Sequence, residues 1–402
     1  MKKLIALILV LCVAFAGLVG YLDRSQAGEK VGQSVQADPE TPDDAGQPDV
    51  PAGPGEIDYE AIYALHDPED VVFTVEGQDV TWQLYFYMLY TQAQNVSSYL
   101  ENMAYYGLEL SWEDEYAEGM TFADLAADTA EQTLARLCAI RSFAQENDIE
   151  LSEENQAALA EQIQGDKESL CGEGATEEDF AAYLADMYLT PELYLWLNET
   201  GYLYQESYIQ LYGDAGELYD EEAAMAWLTD NDYLSATHIL LMTIDPVTGA
   251  SLSEEETLEK LNRAEAVAAE LQAIEDTEEL LARFAALKEE LCEDTGKVAY
   301  PDGYTFTPGT MVTEFEDTVN ALGDYQVSDV VETGYGYHII MRLPLSVDAA
   351  IEYSSDGVAP LTARSLASSE EFNARFQAKF DAVKVEYNPD FQAVKLTDYL
   401  IK

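Results

Sequence analysis

Two of the three histidines in the 402-residue chain lie in similar surroundings. His238 lies in the apolar run Ser235–Met242, and His338 lies in the run Glu332–Arg342. Both runs have the apolar content and the polar or glycine boundaries of short strands. A single histidine in a strand is more often a structural residue than a functional one. Two imidazoles on neighbouring strands can hydrogen-bond and fix each other's tautomer.

Three large apolar residues lie between these runs. Met311 and Phe315 lie at the start of a short predicted helix, and Phe306 precedes them. A spacing of four residues places two side chains on one face of a helix. Such pairs are common in ordinary helix cores, and spacing alone favours that simpler interpretation.

The elements that should carry these residues are two strands with helices between them. Ser253–Glu256 has the pattern of a capping box and predicts the start of a helix. Thr277–Glu290 predicts a second helix by its apolar spacing. After a loop containing Gly and Pro, Thr313–Glu316 predicts a third helix, which Gly323 ends. The order strand, helix, helix, loop, helix, strand indicates one α/β domain over residues 231–346.

Three segments of this stretch resemble motifs of one family, the parvulin-type peptidyl-prolyl isomerases. Thr237–Leu240 looks like the family's S-H-I-L strand, and Gly309–Glu316 looks like its G-x-M-V-x-x-F-E segment. Thr333–Ile340 looks like its T-x-x-G-x-H-I-I segment. Each motif alone would be a weak signal, but the three occur in order within one domain. The resemblance implies a parvulin domain, in which helices surround a small β-sheet.

The resemblance also implies roles for the residues at the matching positions. His238 and His338 match the family's two facing histidines, and Thr333 matches the threonine that joins them. Their implied role is to support the site and tune its polarity rather than to act as acid and base. The predicted catalytic set is His238, Asp294, Thr333 and His338.

The predicted substrate-binding set is apolar. Met311 and Phe315 are implied as the pocket for the proline ring, and Phe306 as a third wall. Asp294 matches the position where family members carry Asp or Cys facing the substrate amide. Cys292 would occupy that position after a shift of two residues, but it follows a helical leucine, which favours Asp294. In a chain with 78 acidic residues, a solvated Asp294 is the open alternative.

The reaction of the resembled family needs no nucleophile. The barrier to rotation about a peptide bond is about 18–20 kcal/mol, and isomerisation of X–Pro bonds is slow enough to limit folding. A catalyst must bind the twisted amide better than the planar one, which a water-excluding apolar pocket can do. The four cysteines lack metal-binding spacing, so neither a metal nor a cofactor is expected.

One loop departs from the family's pattern. Where the family has G-G-D-L-G-W-F, this chain has Tyr300–Phe306, with Gly303 in place of the leucine. The change concerns the rim of the pocket and leaves the level of isomerase activity open. A holdase chaperone with a weak or inactive parvulin domain is therefore an alternative. No basic cluster suited to phosphate lies beside the pocket in sequence, which argues against a phospho-Ser/Thr-Pro preference.

Residues 1–27 have the pattern of an export segment. Two lysines precede the uncharged run Leu4–Leu22, whose length is at the short end of what spans a bilayer. Ser25–Ala27 offers small residues for a signal peptidase, so a cleaved signal peptide and an uncleaved anchor fit equally well. The predicted location is extracytoplasmic, either membrane-anchored or secreted. Residues 28–57 are polar and predict a disordered linker.

The remaining chain predicts a larger helical part. Residues 58–230 indicate a small hairpin at 71–80 followed by a helical array, a layout that resembles the N-terminal domain of exported foldases of the PrsA and SurA type. In those foldases the C-terminal segment returns to the N-terminal domain. Residues 347–402 are expected to do the same, with a capping box at Ser368–Glu371. The predicted fold class is α+β, with a mostly helical chaperone-like domain, a parvulin domain and a C-terminal helical segment.

The net charge of −59 restricts the classes of partner. Such a surface repels nucleic acid and anionic lipid headgroups, so no nucleic-acid partner is expected and the membrane is contacted only through the N-terminal segment. The predicted partners are unfolded or partly folded exported polypeptides that contain X–Pro bonds. An acidic surface adhesion protein is a second alternative. The sequence carries no signal for an oligomeric state.

Aromatic runs in the helical part are the predicted surface for holding unfolded chains. The competing interpretation is that these rings fill the helical core, which is the commoner role for any one of them. The residues concerned are Tyr85, Phe86, Tyr87, Tyr90, Tyr188, Tyr194, Trp196, Tyr202 and Tyr204.

Overall fold

A computed structural model describes residues 55–245, 247–353 and 359–401. The predicted export segment and nearly all of the predicted linker lie outside these residues. The described chain divides into two compact units: residues through Gln210 with those from Asn373 onward, and Leu211–Phe372. Helices and small sheets make up both, which confirms the α+β prediction. No helix within the described ranges is both long and apolar enough to cross a membrane.

The first unit is mainly helical, as its apolar periodicity predicts. Its helices are α1 (Tyr59–Tyr63), α2 (Trp82–Tyr105), α3 (Phe122–Glu146), α4 (Glu153–Cys171) and α5 (Glu177–Ala185). Helices α6 (Pro191–Tyr212) and α11 (Ala363–Ala382) contain residues of both units.

A three-stranded antiparallel sheet accompanies these helices. The predicted hairpin is confirmed as β1 (Val71–Val75) and β2 (Gln78–Thr81), and β11 (Val385–Tyr387) pairs with the free edge of β1. The chain therefore returns from its C-terminal segment to the first strand of the unit. A separate small hairpin is formed by β3 (Glu115–Ala117) and β4 (Met120–Thr121).

Aromatic rings fill the core of the first unit, which overturns part of the predicted client-holding surface. Tyr85, Phe86, Tyr87 and Tyr194 are each at most 2% exposed. Rings of this size bury a large apolar area, and the helices turn them toward one another rather than toward solvent. The prediction that these four hold unfolded chains is wrong, because no client could reach them.

The second unit is built on a four-stranded antiparallel sheet. The two predicted strands are confirmed as β5 (Leu234–Met242) and β8 (Gly336–Leu343), which lie side by side. Two strands of this sheet were not predicted from the sequence. They are β6 (Tyr304–Phe306), which pairs with β5, and β7 (Val331–Thr333), which pairs with β8. Each has only three residues, which is too short for an alternating pattern to show.

Further helices and a second hairpin complete this unit. They are α7 (Glu221–Asp230), α8 (Glu254–Gln272), α9 (Thr277–Leu291), α10 (Thr313–Ala321), β9 (Ala350–Tyr353) and β10 (Pro360–Thr362). A short 3-10 turn, Thr295–Val298, lies between α9 and β6.

Alternation along β5 sends its side chains to two different faces of the sheet. Ile239 packs with Phe284 of α9 in the core beneath one face. Ala236 packs with Phe315 of α10 on the other face. His238 lies two residues beyond Ala236 and so belongs to the α10 face.

Of the three capping boxes predicted around these helices, one is confirmed. Ser253–Glu256 starts α8 with reciprocal hydrogen bonds. Thr313–Glu316 makes no such box, since Val312 occupies the N-cap position of α10 without a side-chain bond and Glu316 accepts from the loop before the helix. Ser368–Glu371 lies inside α11, which begins at Ala363 after reciprocal hydrogen bonds between Thr362 and Ser365. The latter two predictions are wrong because the four-residue pattern also occurs within and near helices.

Candidate active site

The pairing register brings His238 and His338 together on one face. His238 lies opposite Ile340, and Leu240 lies opposite His338. Residues two apart on a strand share a face, so the two histidines are diagonal neighbours. Their ring centroids are 5.1 Å apart, and the residues are 7% and 5% exposed. The pair forms a buried polar floor on the α10 face of the sheet.

Thr333, on the neighbouring strand β7, extends this floor. Its hydroxyl lies 2.9 Å from Nε2 of His338 and accepts a hydrogen bond from the N–H of Tyr335 at 3.1 Å. His338 therefore has a hydrogen-bond partner at Nε2. Burial, reinforced by the neighbouring His238 imidazole, lowers the pKa of His338 to about 4. This imidazole is therefore neutral near pH 7.

Asp294 approaches the floor from the loop after α9. Its Oδ1 accepts from the N–H of Gly296 at 2.9 Å, and its Oδ2 accepts from the hydroxyl of Tyr304 at 2.6 Å. The same Oδ2 lies 3.4 Å from Nε2 of His238. That contact is within ion-pair distance, but among the described residues neither ring nitrogen of His238 has a well-formed hydrogen bond. The contact is therefore a close approach of the carboxylate to the imidazole rather than a well-formed hydrogen bond.

The surroundings keep Asp294 ionised. The His238 imidazole, the Tyr304 hydroxyl and the Gly296 N–H hold the pKa of Asp294 well below its usual range, against the opposing effect of burial. Burial and the neighbouring carboxylate raise the pKa of Tyr304. Tyr304 thus stays protonated and donates a hydrogen bond to a carboxylate beside the floor.

Apolar side chains stand next to the polar floor. Phe315 and Phe306 are each 3% exposed, with ring centroids 6.0 Å apart. The Phe315 ring meets both imidazoles edge-on, at 5.3 Å from His238 and 5.8 Å from His338. Met311 is partly buried in the same cluster. All three predicted pocket residues lie together, and they adjoin the polar set.

Glu316 holds the segment that carries Met311. Its carboxylate accepts hydrogen bonds from the N–H of Met311 at 2.7 Å and from the N–H of Gly309 at 3.0 Å. These bonds lower the pKa of Glu316. The motif glutamate therefore fixes the loop before α10 instead of capping the helix through Thr313.

Tyr304 lies in the divergent loop 300–306, and the course of this loop places it in the site. Gly303 adopts a φ of 120°, and a Cβ there would lie 2.7 Å from the carbonyl oxygen of Ala236. Only glycine permits this approach of the backbone to β5. Tyr304 follows at once, and its ring lies nearly parallel to that of His238, at 5.8 Å and 14°.

Cys292, the alternative to Asp294, lies elsewhere. It is 5% exposed and packs in the core beneath the opposite face, where its Sγ accepts from the N–H of Leu240 at 3.4 Å. Two lysines nearby are also occupied. Lys288 donates to the Thr237 hydroxyl at 3.0 Å, and Lys297 donates to the carbonyl of Cys292 at 2.7 Å.

Sequence reasoning named most of the side chains that meet here, but it missed Tyr304 and the role of Glu316. No family motif assigns a tyrosine to position 304, and the capping-box pattern concealed the real partners of Glu316. The only available signal for Tyr304 was its place in the divergent loop.

Residues 238–343 match the family model described as "Rotamase: PPIC-type PPIASE domain". Foldase protein PrsA 3 from Bacillus anthracis is 48% identical over 58 residues, which are 14% of this chain and 20% of that protein. Foldase protein PrsA from Geobacillus sp. is 48% identical over 60 residues, which are 14% of this chain and 21% of that protein. This chain thus spans about a fifth of the length of the curated relatives it matches.

The chain is also similar to solved structures. PrsA from Bacillus subtilis is 16% identical, with 78% of this chain and 91% of that chain covered and a TM-score of 0.24. The parvulin of Nitrosopumilus maritimus is 28% identical, with 28% of this chain and 97% of that chain covered and a TM-score of 0.19. The family match and the local identity, rather than these low TM-scores, identify residues 238–343 as a parvulin-type domain.

Proposed function

We propose that this protein, whose residues 238–343 form a parvulin-type domain, is a peptidyl-prolyl cis-trans isomerase that assists the folding of exported proteins. The observation that supports this most is the edge-on contact of Phe315 with both His238 and His338. It places an apolar wall directly beside a buried polar floor. A proline ring and its preceding amide require those two environments side by side.

The pocket would act by favouring the twisted amide. Phe315, Phe306 and Met311 hold the proline ring through apolar contact, so the X–Pro bond lies near the floor with little water around it. No covalent bond is made or broken. Every 1.4 kcal/mol by which the twisted state is bound more tightly than the planar state gives about a tenfold gain in rate.

Asp294 contributes charge to this selection. In the planar amide, resonance places partial negative charge on the carbonyl oxygen, and twisting removes that resonance. A fixed carboxylate beside this oxygen opposes the planar state more than the twisted one. Its low pKa keeps Asp294 ionised at physiological pH. His338 is neutral and adds no positive charge of its own that would offset this carboxylate.

Holding unfolded chains needs exposed apolar surface, and the described part of the first unit has such a stretch at residues 99–116. Here it is called the aromatic patch, and its members are each 45% to 84% exposed: Tyr99, Tyr105, Tyr106, Leu108 and Tyr116. The rings of Tyr99 and Tyr116 both contact the ring of Phe122, which joins α2, β3 and α3. Exposed Glu109, Glu113 and Glu118 in the same stretch would keep a client complex soluble.

The predicted export segment supports an extracytoplasmic location for this foldase. Lysines at the N-terminus followed by an apolar run should leave the N-terminus in the cytoplasm and translocate the rest. Protease added to intact protoplasts should then digest residues beyond 57. Their protection, with digestion only after lysis, would refute export.

A crossed pair of variants tests the two activities separately. Phe315→Ala, in the pocket, should reduce isomerisation of an X–Pro peptide and leave suppression of aggregation intact. The combined change Tyr105→Ser and Tyr106→Ser, in the aromatic patch, should do the reverse. Loss of both activities in either variant would show that pocket and patch are not separate sites.

A holdase with an inactive parvulin domain is the second candidate. The observation that favours it is Gly303, where the resembled family has a leucine at the pocket rim. Under this alternative the aromatic patch variant loses its effect on aggregation, while the wild-type protein shows no isomerisation above background. An adhesion protein would instead bind one folded ligand and ignore denatured chains.

A further inference from the structure

Tyr304 makes contacts that the family motifs do not account for. Its hydroxyl donates to Oδ2 of Asp294 at 2.6 Å, and that same oxygen faces Nε2 of His238 at 3.4 Å. Its ring lies nearly parallel to the His238 imidazole. One tyrosine thus touches both the acidic member of the site and the histidine next to it.

Two glycines allow this placement. Gly303 has a φ of 120°, which favours glycine, and its lack of a side chain lets the backbone pass close to β5. At position 296 a Cβ would collide with the Tyr304 hydroxyl, and the N–H of Gly296 donates to the other oxygen of Asp294 at 2.9 Å. Each oxygen of the Asp294 carboxylate therefore accepts a hydrogen bond. The motif of the resembled family has glycine where this chain has Tyr304, so the contact between Tyr304 and Asp294 is not part of that motif.

We propose that Tyr304 is a positioning residue, whose hydroxyl holds the Asp294 carboxylate against His238 and so sets the polarity of the pocket floor. Without this donor the carboxylate could rotate away from Nε2 of His238. Tyr304 acts through Asp294 and need not touch the substrate. For catalysis the inference rests on the proposed isomerase function; for the geometry of the floor it does not.

The charged and titratable groups around Asp294 come from several elements. They are His238 on β5, His338 on β8, Tyr304 on β6, Lys288 on α9, Cys292 directly after α9, Lys297 in the 3-10 turn, and Tyr300 and Asp302 in the loop. Lys288 and Lys297 donate to other acceptors, which are the Thr237 hydroxyl, the carbonyl of Pro301 and the carbonyl of Cys292. Among the described side chains, Tyr304 supplies the well-formed hydrogen bond to Asp294.

The test replaces one hydroxyl at a time in the full chain. Tyr304→Phe removes the bond to Asp294 and keeps the ring. Tyr353→Phe is the matched control, because that hydroxyl also donates at 2.6 Å but to the backbone carbonyl of Ala299. For Tyr304→Phe, kcat/KM on an Ala-Pro peptide should fall about tenfold, as expected for loss of a hydrogen bond to a charged group. Its acid limb should also move to higher pH, because Asp294 loses a donor that favours ionisation.

A second readout does not depend on activity. The imidazole nitrogen-15 shifts of His238 report its tautomer and contacts, and only three histidines contribute signals. These shifts should change in Tyr304→Phe and remain as in the wild type in Tyr353→Phe. Asp294→Asn should change them too, and the Tyr304→Phe, Asp294→Asn double variant should show less than the sum of the two effects.

The outcomes separate this inference from the proposed function. Wild-type nitrogen shifts and an unchanged pH profile in Tyr304→Phe would overturn the positioning role. Altered shifts in a protein that shows no isomerisation would uphold the role of Tyr304 in the floor and refute the isomerase function. If Tyr304→Phe fails to fold, the shifts of Asp294→Asn decide, since unchanged shifts there would also overturn the inference.

Discussion

The hydroxyl of Thr333 lies 2.9 Å from Nε2 of His338 and gives this buried imidazole a hydrogen-bond partner on β7. The two residues belong to adjacent strands of the sheet, five positions apart, around the turn between β7 and β8. Among the described residues, Nδ1 of His338 has no such partner. The orientation of the second histidine thus depends on one hydroxyl group.

Replacing that hydroxyl gives the first prediction. Thr333→Val keeps the shape of the side chain but leaves Nε2 of His338 buried and unpaired, which should lower the free energy of unfolding by about 1–3 kcal/mol. Thr333→Ser retains the hydroxyl and should stay close to the wild type. Urea unfolding followed by fluorescence measures both. Equal stability of Thr333→Val and Thr333→Ser would show that the hydrogen bond between Thr333 and His338 does not stabilise the fold.

The titration of His338 gives the second prediction. Its pKa is lowered from 6.5 to about 4 in the folded protein, so between these pH values the unfolded chain binds a proton that the folded chain does not. The contribution to stability is therefore full above pH 6.5 and is lost as the pH falls toward 4, by about 3 kcal/mol in total. Carbon-13 labelling of the histidines allows the ring signal to be followed. A midpoint near 6.5 for His338 would contradict the buried, neutral state.

The third prediction concerns the pocket wall. Phe315→Ala removes a ring that meets both imidazoles and should cost a few kcal/mol of stability and at least tenfold in isomerase activity. Phe284→Ala is the matched control, since Phe284 is equally buried but packs beneath the opposite face of the sheet. Both variants should be assayed where circular dichroism shows them folded. If Phe284→Ala loses as much activity as Phe315→Ala, the effect is general destabilisation.

The fourth prediction distinguishes Asp294 from Cys292, the two candidates for the family position that faces the substrate amide. Asp294→Asn keeps the size of the side chain but removes its charge, and it should lower kcat/KM about tenfold. Cys292→Ala removes a thiol from the core and should leave kcat/KM within about twofold, at some cost in stability. Steady-state kinetics on one X–Pro peptide compares the two. A larger loss of kcat/KM in Cys292→Ala than in Asp294→Asn would assign that position to Cys292.

Sequence reasoning located the two long strands and the histidine pair because each depends on local pattern and on family motifs. It could not find β6 and β7, since three-residue strands exist only through their pairing partners. The hydroxyl of Tyr304 reaches Asp294 through a tertiary contact that no spacing rule encodes. Burial of Tyr85 and Phe86 was equally hidden, because periodicity shows which residues share a face but not which face meets the core.

Exchange between the cis and trans forms of a proline peptide, measured by NMR with catalytic amounts of purified residues 55–402, tests the central claim most directly. Exchange well above the uncatalysed rate is expected, reduced about tenfold or more in Phe315→Ala. A denatured protein whose refolding is limited by proline isomerisation should also refold faster in the presence of this chain. Exchange at the uncatalysed rate, from protein shown to be folded, would contradict the account and leave a holding chaperone as the function.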